Sequence, residues 1–266
     1  MSNSVKIAFL GLGEDSCLLA AGLAATGAQV IGYDSGKVKR PPLQLAESID
    51  AAVADADVVV SLNSSLIASR TAEAAARAMK PGAIYVDLNT GSPELKKKLA
   101  ALFAAGTFVD AAPMKAISEL AHKTPLILSG EGANALQSIL APLGMSIQVV
   151  GDSAGDAAAR RLLFSLFTEG LTATIADTLW AAKSMGLENW AFDAIRNEFE
   201  SANASTVQSH IDETGKFPKR HSVAMTDIAE MLAESGYEST LVNGIGLTFS
   251  HIMHGRKIPF ADLTNE

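Results

Sequence analysis

Short β-branched runs alternate with longer Ala- and Leu-rich periodic segments up to Gly151, and beyond that point the strand signal stops. This switch constrains the fold more than any other feature, because such alternation argues for a parallel sheet with helices on both faces. Strands are expected at residues 5–10, 29–33, 56–62, 83–87, 107–110, 125–129 and 146–150. Helices are expected between them at 16–26, 48–54, 69–79, 93–105 and 133–143. From 155 to 185 runs one helical pattern, about 45 Å long at roughly 1.5 Å per residue. In it Leu162, Leu163, Leu166, Phe167, Gly170, Leu171, Ile175 and Leu179 recur at i, i+3 and i+4, which predicts one buried stripe. Arg161, Ser165, Thr168 and Thr172 share a second face. Further helices are expected at 189–202, 225–235 and 239–254. The chain thus divides into an α/β domain over 1–151 and an all-helical domain over 152–266, entered by the long helix.

The fragment FLGLGEDSCLLAAGLAATGAQVIGYD carries the first chemical signal. Gly11, Leu12 and Gly13 lie between a strand and a helix. A tight turn there brings backbone N–H groups close to a pyrophosphate, and the helix N-terminus adds partial positive charge. A side chain at Gly13 would obstruct that approach. Asp34 ends the second strand, where a carboxylate accepts hydrogen bonds from adenosine ribose hydroxyls. The third glycine of G-x-G-x-x-G is Ser16 here, so placement rather than the string carries the inference: a Rossmann-type, doubly wound, mostly parallel sheet that binds NAD or NADP. The competing explanation is a glycine turn that serves only helix–strand packing.

Asp34 repels a 2′-phosphate, which favours NAD. Lys37, Lys39 and Arg40 follow at once and can pair with that phosphate if the loop folds back, although a solvated basic loop is the commoner fate of such a cluster. NAD is favoured narrowly over NADP. Asn63 and Ser64 follow the third strand and Thr90 the fourth. Strand C-terminal ends line the ligand crevice in open α/β sheets, which makes these residues cofactor candidates. Asn63 has the alternative of capping the next helix.

VDLNTGSP (86–93), FVDAAPMKA (108–116), LILSGEGANALQSILAPLGMSIQVVG (126–151) and GDAAARRLLFSLFTEGLTATIADTLWAAKSMGL (155–187) follow the glycine loop in order. Together they resemble the β-hydroxyacid dehydrogenase family, which includes 3-hydroxyisobutyrate and 6-phosphogluconate dehydrogenases. The likeness weakens beyond about residue 190. FTEGL (167–171) resembles a subgroup described as phosphogluconate dehydrogenase-like. The resemblance implies hydride transfer between nicotinamide C4 and the carbinol carbon of a small hydroxy acid, or its aldehyde or keto form. It also implies a lysine on the long helix as general acid/base and an asparagine one turn later. Those positions fall on Arg161 and Ser165. The family's substrate-loop serine falls on Met114, and its following glycines on Lys115 and Ala116.

These departures reshape the expected chemistry. Arg161 cannot shuttle a proton near neutral pH, because a guanidinium stays charged below about pH 12. It can clamp a substrate carboxylate or bond a developing alkoxide. Lys115 is then the candidate base, its proton affinity lowered beside a cation in a partly dry cleft; its alternative is an ordinary surface lysine. Arg161 has the alternative of an interdomain ion pair, and Ser165 and Thr168 that of bonding the preceding helical turn. His221, in FPKRHS just before a helical pattern, reads as an exposed cap or a substrate contact. Loss of the helix lysine also suits a C=N (imine) reductase, and loss of both helix residues suits a dinucleotide-binding protein without activity.

Hydrophobic residues make up 48% and charged residues 19%, which excludes wholesale disorder. A formal net charge of −8 and a pI near 5.2 argue against nucleic acid and anionic membranes as partners. The one cysteine, Cys17, reads as a small buried hydrophobe and points to a reducing compartment. Neither a signal peptide nor a run of about 18 uninterrupted apolar residues is evident, so a cytoplasmic protein is expected. His251 and His254 lack a third ligand, so no metal is expected. The partners expected are a small, anionic substrate and a second copy of the chain, because the long helix carries more apolar surface than one small domain can bury.

Overall fold

The computed structural model describes residues 4–36 and 43–261. Its chain contacts divide into two compact units, Met1–Ser165 and Leu166–Glu266.

The first unit is built on eight strands. In chain order these are β1 (Lys6–Leu10), β2 (Gln29–Tyr33), β3 (Gln44–Leu45), β4 (Val58–Ser61), β5 (Ile84–Asp87), β6 (Phe108–Pro113), β7 (Leu126–Ser129) and β8 (Ile147–Gly151). The sheet order is β3-β2-β1-β4-β5-β6-β7-β8, and all pairs are parallel except β6 with β7. The helices between them are α1 (Glu14–Ala25), α2 (Ile49–Val53), α3 (Ser65–Ala78), α4 (Pro93–Ala100), α5 (Ile117–Leu120) and α6 (Ala133–Leu140). Strand order reverses between β1 and β4, and ligand crevices of open α/β sheets form at such a switch point.

Successive residues of β1 serve opposite faces, as strand pleating requires. Ile7 and Phe9 join Leu19 and Leu23 of α1 and Leu136 of α6 in one core. Ala8 and Leu10 join Val53, Ala72 and Leu99 of α2, α3 and α4 in the other. Burial on both faces explains why these strands read as continuous apolar runs rather than alternating ones.

α7 (Asp156–Ser184) spans 29 residues and crosses from the first unit into the second. By length and composition it is apolar enough to cross a membrane, although it carries Arg160, Arg161, Glu169 and Asp177. The expected buried stripe needs correction. Leu163, Leu166 and Phe167 are 69%, 74% and 64% exposed, and Leu171, Ile175 and Leu179 are half-buried. Apolar residues therefore stand on more than one side of the helix, and several of them are exposed.

In the second unit, α8 (Glu188–Ser201), α9 (Ala204–Lys216), α10 (Pro218–Glu234) and α11 (Thr240–Met253) follow α7. Asp177 accepts hydrogen bonds from Tyr237 Oη at 2.6 Å and Ser239 Oγ at 2.5 Å, and Ser239 also caps α11. α9 has no counterpart among the expected helices. Its sequence ASTVQSHIDETGK is mostly polar, and a capping box between Asn203 and Thr206 starts it. His221 lies inside α10 and stacks on Phe249 at 5.0 Å between ring centroids, so it is no exposed cap before the helix.

Candidate active site

The glycine loop leaves β1 at the switch point. Gly11 has φ +92°, and a Cβ there would collide with Leu62 O and Asn63 Oδ1, which pins the loop after β1 against the loop after β4. A Cβ on Gly13 would meet no protein atom within 4 Å. Gly13 is also the N-cap of α1 and offers no side chain to accept from the first-turn N–H groups. Ser16, in place of the third glycine, is buried and donates to Leu62 O at 3.4 Å, so a small polar residue fills the close helix–strand contact. This loop fits a pyrophosphate.

Asp34 accepts hydrogen bonds from Leu12 N–H and Gly36 N–H, both at 2.7 Å. It therefore braces the glycine loop, and each oxygen keeps a lone pair for a ribose hydroxyl. A cavity of about 180 Å³ joins Gly11, Asp34 and Asn63 to Arg70 of α3, a cation that sequence inspection passed over. Lys37, Lys39 and Arg40 lie outside the described residues. Cys17 is half-buried, with Sγ 3.6 Å from Leu12 O; burial first, and Asp34 second, push its thiol pKa up.

Asn63 does not cap α3. Its amide donates to Ser61 Oγ at 3.0 Å, and its backbone N–H donates to Asn89 Oδ1. Ser64 takes the N-cap position of α3 without a side-chain bond, and both Ser64 and Thr90 are exposed.

Beneath these loops lies a buried charge cluster. Lys96 Nζ meets Asp87 Oδ2 at 2.8 Å and Asp110 Oδ1 at 3.2 Å, with all three side chains at most 1% exposed. Lys96 also donates to the carbonyls of Asp87 and Asn89. Asp110 Oδ2 accepts from Gly155 N–H at 3.1 Å and Ala158 N–H at 2.9 Å, and Ser129 Oγ accepts from Ala157 N–H at 2.9 Å. Asp110 and Ser129 are register partners across the antiparallel pair. Strands β6 and β7 thus satisfy the orphan donors of α7's first turn, which explains why residues 152–165 pack with the sheet. Arg161 follows Ala158 by about one turn.

A cavity of about 340 Å³ opens above this floor, wholly within the first unit. Its lining brings together Arg161 and Lys115 with Asp15, Asn89, Thr90 and Lys96. Lys115 is exposed and Arg161 half-buried. Ser165 is half-buried and does not line this cavity. A larger cavity of about 500 Å³, near Lys97 and Asp152, holds none of the glycine-loop or strand-end candidates. Among the described residues no group of three or more metal-ligating side chains forms a metal site.

A family model for the NAD binding domain of 6-phosphogluconate dehydrogenase matches residues 6–151. The chain belongs to that family. An uncharacterised 28.5 kDa protein of Methanothermus fervidus is 29% identical over 189 residues, which is 69% of this chain and 73% of that protein. A solved protein of unknown function, described as structurally similar to 3-hydroxyacid dehydrogenases, is 26% identical with a TM-score of 0.59; the match covers 94% of this chain and 97% of that one. An imine reductase of Myxococcus stipitatus in complex with NADP+ has a TM-score of 0.80 at 16% identity over 94% of each chain, a likeness of fold. The α/β unit is an NAD(P)-binding domain of the 6-phosphogluconate dehydrogenase type.

Proposed function

We propose that the chain is an NAD(P)-dependent oxidoreductase that moves hydride at a small, carboxylate-bearing substrate held in the cavity of Arg161 and Lys115. One observation carries this: two cations line the same cavity as the strand-end loop Asn89–Gly91, beside the switch-point crevice. Gly11, Leu12 and Gly13 would take the pyrophosphate, Asp34 the ribose, and Asn63, Ser64 and Thr90 the strand-end contacts to the rest of the cofactor. A bound nicotinamide cofactor supplies or accepts the hydride. Arg161 clamps the carboxylate and orients the reacting carbon. Lys115, exposed at the cavity, is assigned the proton transfer when the bond is C–O. Ser165 follows Arg161 by about one turn and supports that face of α7.

Arg70 beside Asp34 gives a 2′-phosphate a cation to meet, so NADP fits this crevice at least as well as NAD. The C=N reading draws support from the guanidinium at the position of the family's helix lysine, since a protonated imine needs no acid at the hydride step. Transfer of deuteride from C4-labelled NADH or NADPH to a panel of small oxo acids and cyclic imines tests the function. Label in one product is expected. Tight cofactor binding with no labelled product from any member would instead support a dinucleotide-binding protein without activity.

We infer further that the working form is a homodimer in the cytoplasm. Leu163, Leu166 and Phe167 of α7 are exposed close together, and a second copy of the chain would cover them. Light scattering should give twice the chain mass, and Leu166→Glu should shift it to the monomer mass at micromolar concentration. A monomeric wild type would contradict this.

A further inference from the structure

Asp15 is the second residue of α1 and lines the reaction cavity with Lys115 and Arg161, whereas its neighbour Glu14 does not line it. Acidic residues in a first turn ordinarily offset the helix dipole. Glu14 already does so, and this same helix end is where the fold receives phosphates, which disfavours a second carboxylate unless it serves the cavity. Among the described residues, Asp15, Lys115 and Arg161 enter no ion pair within 4.0 Å with any partner. Asp15, Lys115 and Arg161 therefore border a space of about 340 Å³ without neutralising one another directly, above a floor to which the paired Lys96 and Asp110 belong. The floor adds no compensating cation, since Lys96 is spent on Asp87 and Asp110.

A substrate bearing a carboxylate alone would satisfy Arg161 and Lys115 but set its charge against that of Asp15. A molecule with a carboxylate and a positive nitrogen satisfies all three groups. We infer that the substrate is a small amphoteric acid, a cyclic imino acid or its amine form, with Asp15 facing the nitrogen and Arg161 and Lys115 facing the carboxylate. This rests on the cavity being the hydride-transfer site.

The chemistry balances without a further acid. The protonated C=N carbon receives hydride, a C–H bond forms, and the π pair becomes the nitrogen lone pair while the nicotinamide is oxidised. The amine then takes a proton from water. Asp15 stabilises the iminium before transfer and the ammonium after it, so no residue must shuttle a proton during the step. Arg161, which cannot do so, is then no obstacle at the position of the family's lysine.

The test dissects the two charges on one ring size. Proline, pyrrolidine and cyclopentanecarboxylate are titrated calorimetrically into the protein saturated with oxidised cofactor. Proline should bind about tenfold or more tighter than either single-charge analogue, as one charge-assisted hydrogen bond predicts. Asp15→Asn should reduce proline to the level of cyclopentanecarboxylate, and the double variant Arg161→Gln with Lys115→Gln should reduce it to the level of pyrrolidine, with the thermal midpoint unchanged. Cyclopentanecarboxylate binding as well as proline, or a proline advantage that survives Asp15→Asn, overturns the inference alone. Failure to bind either nicotinamide cofactor overturns the hydride-transfer reading beneath it, and that result is visible before any analogue is added.

Discussion

Replacing Lys96 with methionine should cost about 3–5 kcal/mol of stability, the usual penalty for leaving a buried charge without its partner. Lys96 separates two carboxylates that are themselves at most 1% exposed, so its loss leaves Asp87 and Asp110 both desolvated and mutually repelling. In a chain of this size that corresponds to a fall in thermal midpoint of roughly 10 °C. The double variant Lys96→Met with Asp87→Asn should recover part of the loss. The carboxylate that remains, Asp110, still receives the Gly155 and Ala158 N–H groups of α7. Thermal denaturation followed by circular dichroism reads both. A Lys96→Met protein as stable as wild type would mean that the cluster does not hold the strand ends together.

The glycine loop gives the second large effect, and its two glycines should fail differently. Gly11→Ala places a Cβ against Leu62 O and Asn63 Oδ1 at φ +92°, where an L side chain costs about 1–2 kcal/mol before any collision is counted. Both stability and cofactor affinity should fall. Gly13→Ala meets no protein atom within 4 Å, so stability should hold while affinity falls by roughly 10–100-fold through obstruction of the pyrophosphate. Thermal melts beside calorimetric cofactor titrations separate the two. Equal behaviour of both variants would show that Gly13 does not border the phosphate site.

Much of this architecture was legible because parallel strands buried on both faces announce themselves as β-branched runs, and the fully buried β4 falls inside the strand expected at 56–62. Polar elements were harder. α9 carries only Val207 and Ile211 as large apolar residues, α5 is a single turn, and β3 contributes two residues. α10 begins at Pro218 rather than near 225, because PKRHS carries little apolar periodicity but a proline suited to a helix start.

At the site, the glycine loop and Asp34 were readable from spacing alone. Lys96 was not, since it sits in a run of three lysines, 96–98, that looks like a solvated face. Its burial arises because α4 carries it against Asp87 at the end of β5 and Asp110 within β6. Asp110 reads as a strand terminus, and its role in receiving the first turn of α7 depends on an antiparallel neighbour, Ser129, that local sequence does not disclose. Arg70 and Asp15 were passed over for the same reason: only the crevice shows what they border. The family resemblance placed Arg161 on the cavity wall, whereas Ser165 lies off that lining.

An oxidoreductase of the proposed kind must bind a nicotinamide cofactor in the switch-point crevice. The most direct measurement is a parallel titration of NADH and NADPH against the purified chain, read by quenching of Trp180 and Trp190 and by thermal shift. Saturable binding of at least one cofactor is expected, with a measurable rise in melting temperature. A tighter NADPH would assign Arg70 to the 2′-phosphate, and a tighter NADH would assign dominance to Asp34. No saturable binding of either cofactor would contradict the account.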